Sequence, residues 1–276
     1  MSLMLKLLAI TLVLSSILRA EASSEDVENF LKKMFASNQN IKSLKVKVTN
    51  VTEVQGHEDW YAYYVELDAL LVKDKRQVVQ KMVWFSDGKV ITKEIFDIEK
   101  IKDMNELVSL PFEAKNYKKE NLIYGNVNAK HKVAIFSDPL CPFCKEFVPE
   151  ALEYMKNRPN EFAVYYYHFP LESLHPASVE LVKAAVALEL QGKKDVVLNM
   201  YKIKIDPKEK SNDKILSEFN KVMGSNIKMF DLLSKEVGEH LKSDLAIADS
   251  MMVNGTPTMF LDGVLDRTKM KYKEAK

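Results

Sequence analysis

The apolar positions of residues 23–97 change period once, from a helical repeat to a strand-like repeat. Ser23 and Asp26 have the spacing of a capping box, and the apolar residues after them recur at i, i+3, i+4, i+7 and i+8, which predicts a helix. These residues are Val27, Phe30, Leu31, Met34 and Phe35. Apolar and polar residues then alternate, and two strand-like runs flank Asp87-Gly88, a strong hairpin signal. We therefore expect a small α+β unit, one helix followed by an antiparallel sheet.

The pattern over residues 119–276 is that of an α/β domain. Residues 132–137 and 162–169 are strand-like, and a helix is predicted to start between them at Pro142. One stripe of that helix is apolar: Cys144, Val148, Ala151, Leu152 and Met155. A strand, a helix and a strand in this order predict a parallel pair joined by a right-handed crossover.

Other segments complete the predicted domain organisation. Residues 98–118 are charged, partly helical in period and interrupted by Pro111, which indicates a linker helix between the two domains. Residues 176–252 are mostly helical in period and form a predicted insertion in the second domain. Two short strands around Asp262-Gly263 and a short basic helix are expected to end the chain.

The first 22 residues resemble an export signal. Lys6 gives a weak positive start, residues 7–17 are apolar but too short to span a bilayer, and Ala20-Glu21-Ala22 has the form of a cleavage site. A cytosolic chain with an apolar N-terminal helix is the alternative. We expect export, with cleavage near Ala22 and a soluble mature protein.

Composition narrows the function classes. The 276 residues carry 40 basic and 39 acidic side chains. The chain therefore has almost no net charge, and nothing in its charge indicates binding to nucleic acid. Eight glycines and nine prolines argue against a disordered or fibrous chain, and 47% hydrophobic residues are enough for substantial cores.

Cys141 and Cys144 are the two cysteines of the chain, and they enclose Pro142-Phe143. A disulfide between them closes a very small ring and constrains little of the unfolded chain, so chemistry is a better explanation than stapling. An inert bridge and a metal site are the alternatives. Zinc usually takes four ligands, and the five histidines do not have the spacing of a zinc knuckle. The βαβ context favours a redox pair.

The predicted helix assigns different roles to the two cysteines. Cys141 precedes the helix, so a thiolate there meets unpaired backbone N–H groups and the positive end of the helix dipole. That lowers its pKa and makes it the nucleophile. Cys144 lies one turn on and is suited to resolving a mixed disulfide. Thr256-Pro257, between a helical stretch and a short strand, is a candidate cis peptide that would bring Thr256 beside the cysteines.

Three segments together resemble a known family. FSDPLCPFCKEF, HFPLESLHPAS and VNGTPTMFLDG are similar to the Dsb family of thioredoxin-fold periplasmic thiol-disulfide oxidoreductases. Asp138-Pro139 before the first cysteine and Thr256 before the proline are most similar to DsbC/DsbG-type disulfide isomerases, since oxidase-type DsbA members typically have a histidine between the cysteines. The resemblance covers roughly residues 120–268, and the preceding helix and sheet resemble the DsbC/DsbG dimerisation domain by pattern.

The resemblance implies a specific site and set of partners. Cys141 would attack, Cys144 would resolve, Pro257 would be the cis-proline and Thr256 would shape its loop. No cofactor, metal or nucleic acid is implied. The implied partners are unfolded or misfolded secreted proteins, a membrane thiol-disulfide redox partner and a second copy of the chain.

Two rival functions stay open at this point. The main hypothesis is a periplasmic disulfide isomerase or reductase. A dithiol oxidase of the same fold is one rival, and a non-catalytic chaperone with an inert disulfide is the other. Asp138 could tune the thiols, although a turn role is the simpler interpretation. The tyrosine run 165–167 is interpreted as a core strand, and His168 and His175 as structural residues.

Overall fold

The computed structural model describes residues 22–99, 102–103 and 108–275. The chain divides into two compact units, with the boundary between Val108 and Ser109. The predicted export signal lies outside the described residues except for Ala22. In the described part of the chain, no helix is both long and apolar enough to cross a membrane.

The first unit begins with helix α1, Ser24–Phe35. The predicted capping box is confirmed: the Ser23 hydroxyl accepts from the Asp26 backbone N–H at 3.1 Å, and the Asp26 carboxylate accepts from the Ser23 N–H at 3.2 Å. Val27 and Leu31 are buried against the sheet, whereas Phe30 is 45% exposed. The apolar stripe is therefore wider than the face that the helix buries.

The first unit continues as an antiparallel sheet in the order β1-β2-β3-β4. Its strands are β1 Ile41–Glu53, β2 Tyr61–Leu71, β3 Gln77–Ser86 and β4 Ile91–Thr92. The strand expected after Asp87-Gly88 is broken, since the Thr92 hydroxyl donates to the Glu94 carbonyl at 2.9 Å and turns the chain. The strand resumes as β5 Phe96–Asp97, which pairs with β6 Lys102–Asp103.

The described residues of segment 98–118 contain no α-helix, so the predicted linker helix is not seen there. Besides β6, they form a single 3-10 turn at Ala114–Asn116. Pro111 lacks a backbone N–H and disfavours helical backbone at the residue before it, which accounts for the lack of helix in the described residues next to it.

The second unit contains a five-stranded sheet around the predicted βαβ unit. It consists of β7 Leu122–Tyr124, β8 His131–Ser137, helix α2 Pro142–Lys156, β9 Phe162–His168, β10 Thr258–Leu261 and β11 Val264–Leu265. The strand order is β11-β10-β8-β9-β7, and β8 and β9 are parallel as predicted. The other neighbouring pairs are antiparallel.

Five helices lie between β9 and β10 in the chain. They are α3 Ala177–Leu190, α4 Val196–Met200, α5 Asn212–Met223, α6 Met229–Leu232 and α7 Lys235–Ser250. The helix expected at the C-terminus is instead one 3-10 turn, Lys271–Lys273. The Asp266 carboxylate accepts from the backbone N–H groups of Thr268 and Lys271, which holds this segment in tight turns.

The sheet of the second unit separates two apolar cores. The predicted stripe of α2 is buried with α3, α4 and α5 on one face. Phe112, Phe136 and Phe260 pack with part of α7 on the other. Because strand residues alternate between faces, Tyr166 joins the first core while Tyr165 and Tyr167 join the second.

Candidate active site

The turn between β8 and α2 places Cys141 at the N-cap of the helix. Cys141 has extended backbone, with φ −64° and ψ 126°, and its carbonyl accepts from the Lys145 N–H at 3.0 Å. Pro142 follows at the first helical position, where a missing N–H leaves no bond unmade. The predicted helix start is confirmed, and the Cys141 sulfur faces the open N-terminus of α2.

The environment of Cys141 favours its thiolate. The Cys144 thiol donates a hydrogen bond to it, and the Thr256 hydroxyl and the backbone N–H groups of Cys144 and Phe143 add to the effect, which lowers the pKa of Cys141 to about 5 despite burial. Charge-assisted hydrogen bonds of this kind are stronger than neutral ones. Cys141 is therefore the more nucleophilic of the two sulfurs at neutral pH.

Cys144 is held as a neutral thiol. It is fully buried, and burial together with the neighbouring Cys141 thiolate raises its pKa well above the ordinary value. The side chains of Ser137 and Thr256 and the backbone N–H of Asp138 act in the opposite direction. The two neighbouring sulfurs thus have pKa values shifted in opposite directions.

The loop before β10 brings Thr256 and Pro257 to the cysteines. The Thr256–Pro257 peptide is cis, as predicted. In its protonated form the Cys141 thiol donates to the Thr256 carbonyl oxygen at a distance of 3.6 Å. Thr256 Oγ1 is buried without a hydrogen-bond partner among the described residues, and this side chain beside the cysteines lowers the pKa of both thiols. All four residues predicted for the site therefore lie in one place.

Asp138 is completely buried and connects three segments of the chain. Its Oδ1 accepts from the Leu140 N–H at 2.7 Å and from the Ser178 hydroxyl at 2.5 Å. Its Oδ2 accepts from the Leu171 N–H at 2.8 Å and contacts His175 Nδ1 at 3.0 Å. The turn role expected for Asp138 is thus only part of its function, since the same carboxylate also anchors the segment that leads into α3.

Three hydroxyl groups that we did not predict as site residues lie behind Cys144. Ser137 Oγ is 2.7 Å from the Tyr201 hydroxyl, which is 2.8 Å from the Tyr166 hydroxyl. Strand alternation could have separated Tyr166 from Tyr165 and Tyr167. The position of Tyr201, in the helical insertion, has no signal in the sequence.

The remaining side chains around the cysteines bear on two alternatives, a metal site and activation of the thiols by a charged neighbour. The described residues contain no group of three or more His, Cys, Asp or Glu side chains placed to hold a metal ion. Lys145 is half-buried, and burial lowers its pKa. Phe143 exposes 64% of its surface beside the thiols.

Curated relatives match only part of the chain. The Na(+)/H(+) antiporters NhaA 1 of Mycolicibacterium vanbaalenii and Mycolicibacterium gilvum are 26% and 27% identical to it over 146 and 145 residues. Each match covers 51% of this chain and 23% of the relative. The chain therefore spans less than a quarter of the length of these relatives.

Several solved structures are similar to the chain. A thioredoxin-like oxidoreductase from Silicibacter pomeroyi is 22% identical, covering 55% of this chain and 87% of its own, with a TM-score of 0.48. The thiol-disulfide exchange protein alpha-DsbA2 from Wolbachia pipientis is 18% identical, covering 59% and 89%, with a TM-score of 0.48. BdbD from Bacillus subtilis is 18% identical, covering 60% and 92%, with a TM-score of 0.46.

A family model matches most of the second unit. The model is described as thioredoxin, and it matches residues 117–276, more than half of the chain. The matched region contains the βαβ unit, both cysteines and the cis-proline loop. The chain belongs to this thioredoxin family.

Proposed function

We propose that this protein is a thiol-disulfide oxidoreductase, with Cys141 as the nucleophile and Cys144 as the resolving cysteine. The observation that carries the proposal is the pair of neighbouring sulfurs with opposite pKa shifts at the start of α2. An inert bridge does not require one sulfur to be a stabilised thiolate and the other a buried thiol.

The reaction follows from the two environments. The Cys141 thiolate attacks one sulfur of a substrate disulfide, and the other substrate sulfur leaves as a thiolate that takes a proton from water. Cys144 then loses its proton to solvent and attacks the Cys141 sulfur, which forms the Cys141–Cys144 disulfide and releases the second substrate thiolate. The substrate gains two electrons and the cysteine pair loses two. The reverse sequence oxidises a substrate dithiol.

Reduction of insulin by a small dithiol tests the proposal. The wild-type protein is expected to accelerate precipitation of the insulin B chain, and Cys141→Ser is expected to abolish the acceleration. Cys144→Ser should retain the first attack and accumulate a mixed disulfide, visible on a non-reducing gel. A wild-type protein with no effect on insulin, or Cys141→Ser as active as wild type, contradicts the proposed activity.

We propose a periplasmic disulfide isomerase or reductase as the first candidate for the physiological direction. Three sequence features around the thiols support it: Asp138-Pro139 before Cys141, Phe143 between the cysteines, and Thr256 before Pro257. An isomerase must hold Cys141 reduced in an oxidising compartment, so it needs an electron donor. A membrane redox partner would supply the electrons, and misfolded secreted proteins would be the substrates.

The second candidate is a dithiol oxidase, and the pKa of Cys141 favours it. A thiolate with a pKa of about 5 stabilises the reduced pair and makes the disulfide a better oxidant. Backbone groups and Cys144 therefore supply the stabilisation that the uncharged Phe143 does not.

Acid quenching of cells followed by alkylation distinguishes the two directions. The isomerase hypothesis predicts a reduced Cys141–Cys144 pair and recovery of activity from scrambled ribonuclease. An oxidised pair in cells, with formation of disulfides in reduced ribonuclease but no recovery of the scrambled enzyme, would establish the oxidase. If the pair cannot be reduced at all by a small dithiol while the protein still prevents aggregation, the chaperone rival replaces both.

A further inference from the structure

The resolving cysteine lies against a cluster of uncharged hydroxyl groups. Ser137, at the end of β8, is fully buried. Hydrogen bonding by its side chain lowers the pKa of Cys144. Tyr166 is 1% exposed, and burial is the largest cause of the raised pKa values of Tyr166 and Tyr201. A thiolate at Cys144 raises both pKa values further, which places the two hydroxyl groups within its electrostatic reach. The cluster is therefore part of the electrostatic environment of Cys144.

The two oxygen–oxygen distances show that the three hydroxyl groups form a hydrogen-bonded chain, in which either oxygen of each pair can be the donor. Each hydroxyl carries a single proton, and the distances of 2.7 Å and 2.8 Å are those of good O–H···O bonds. If Ser137 donates to the Cys144 sulfur, its oxygen is free to accept from Tyr201, and Tyr201 in turn accepts from Tyr166. All three dipoles then point toward the sulfur and polarise one another.

The Cys144 thiolate needs such donors because burial and the neighbouring Cys141 oppose its charge more strongly than the Thr256 side chain and the Asp138 backbone N–H favour it. The sulfur is fully buried, and burial is the largest cause of its raised pKa. Asp138 is near, but its two carboxylate oxygens already receive the contacts of Leu140, Ser178, Leu171 and His175. Donors that reorient without carrying charge can stabilise a transient thiolate while leaving the resting thiol neutral.

We propose that Ser137 is a catalytic residue of the resolving step, and that Tyr201 and Tyr166 are positioning residues that direct the Ser137 hydroxyl proton toward the Cys144 sulfur. The inference rests on the proposed thiol-disulfide exchange. In this step Cys144 gives its proton to solvent, the Ser137 hydroxyl donates to the resulting thiolate, the Cys144–Cys141 bond forms and the Cys141–substrate bond breaks. When a substrate thiolate reopens the disulfide, the same donor stabilises the Cys144 thiolate as it leaves.

Stopped-flow reaction of the reduced protein with the aromatic disulfide DTNB separates the two steps. The first coloured thiolate is released when Cys141 attacks, and the second when Cys144 displaces the aromatic group from Cys141. For Ser137→Ala we expect the second phase to slow about tenfold, because a hydrogen bond to a charged sulfur is lost. Its pH midpoint should rise, while the first phase stays within about twofold of wild type.

Tyr201→Phe keeps the ring and removes one hydroxyl, so it tests the relay even if Ser137→Ala folds poorly. We expect Tyr201→Phe to slow the second phase less than Ser137→Ala, and Tyr166→Phe to slow it least. Tyr167→Phe is the matched control, since it removes a buried hydroxyl from the opposite face of β9, where it donates to the Asn116 carbonyl at 2.6 Å. It should leave the second phase unchanged.

The outcomes separate the inference from the proposed function. A normal first phase with an unchanged rate and pH midpoint of the second phase in both Ser137→Ala and Tyr201→Phe overturns the inference alone. Equal slowing by Tyr167→Phe and Tyr201→Phe also overturns it, since the effect would then be general loss of packing. Absence of the first phase in the wild-type protein overturns the proposed function.

Discussion

The Cys141 sulfur lies 3.6 Å from the carbonyl oxygen of Thr256, although the two residues are 115 positions apart in the chain. The contact forms because β8 and β10 are antiparallel neighbours in the sheet. The C-terminal end of β8, where the turn to α2 begins, therefore lies beside the N-terminal end of β10, where the loop with Thr256 ends. A substrate peptide bound beside the nucleophile would therefore meet the Thr256 backbone as well as the sulfur.

Alkylation of Cys141 should follow a titration with a midpoint near pH 5, far below the value of about 8.5 for an unperturbed thiol. The rate of reaction with iodoacetamide, measured against pH by mass spectrometry, gives the midpoint. Because the Cys144 thiol is the largest cause of the shift, Cys144→Ala should raise the midpoint, while Cys144→Ser, which keeps a donor, should raise it less. Equal midpoints in all three proteins would contradict the assignment.

The reduced protein should gain stability from Cys141 as the pH rises. The folded-state pKa is lowered, so the contribution is fully present above the unfolded value of about 8.5 and is lost as the pH falls through about 5. Urea unfolding of reduced wild type and Cys141→Ser, measured between these pH values, should show a difference in unfolding free energy that grows with pH. Cys144→Ser should keep most of this dependence. A difference that is constant with pH would argue against a stabilised thiolate.

Asp138→Asn should lower the unfolding free energy by about 2 kcal/mol or more. The reason is that an amide NH2 group would face N–H and O–H donors whose hydrogen bonds the carboxylate oxygens now accept. The loss of unfolding free energy is measured by urea denaturation, from the transition in which the second unit unfolds. Ser178→Ala removes only one of the four contacts and should cost less. Asp87→Asn, at an exposed turn, is the control and should change stability by less than about 0.5 kcal/mol. Similar losses in Asp87→Asn and Asp138→Asn would remove the special role of Asp138.

The mature chain expected after export, residues 23–276, should form a dimer through its first unit. In that unit β4 pairs with only Phe85 and Ser86 of β3, and β1 is the other edge of the sheet. Small sheets with open edges tend to pair. Light scattering should give twice the chain mass for the mature protein and one chain mass for a version that begins at Ser109. The Glu28 side chain already accepts from the Val48 N–H on β1, so β3 is the better candidate edge. A monomeric mature protein would contradict this prediction.

The sequence predicted the βαβ unit, the start of α2, the capping box of α1 and the cis peptide, because each depends on residues close together in the chain. Apolar spacing identifies the buried face of α2, and Pro142 marks its first turn. The partners of Asp138 and the placement of Tyr201 depend instead on how the helical insertion folds back onto the sheet, which local patterns do not encode. The linker helix predicted for residues 98–118 is not seen in the described residues of that segment, where Pro111 disfavours helical backbone. Residues 100–101 and 104–107 lie outside the described residues.

The buried carboxylate of Asp138 has a consequence for transplanting this chemistry into another protein. A graft of Cys141-Pro142-Phe143-Cys144 alone would carry the two sulfurs but not the acceptor that shapes the turn before them or its contacts at Leu171, His175 and Ser178. The smallest portable unit is therefore discontinuous, consisting of the β8–α2 turn, the segment that opens α3 and the loop that contains Thr256. An engineered host that lacks the second piece would keep both sulfurs at the helix N-terminus but not the anchored turn that positions them.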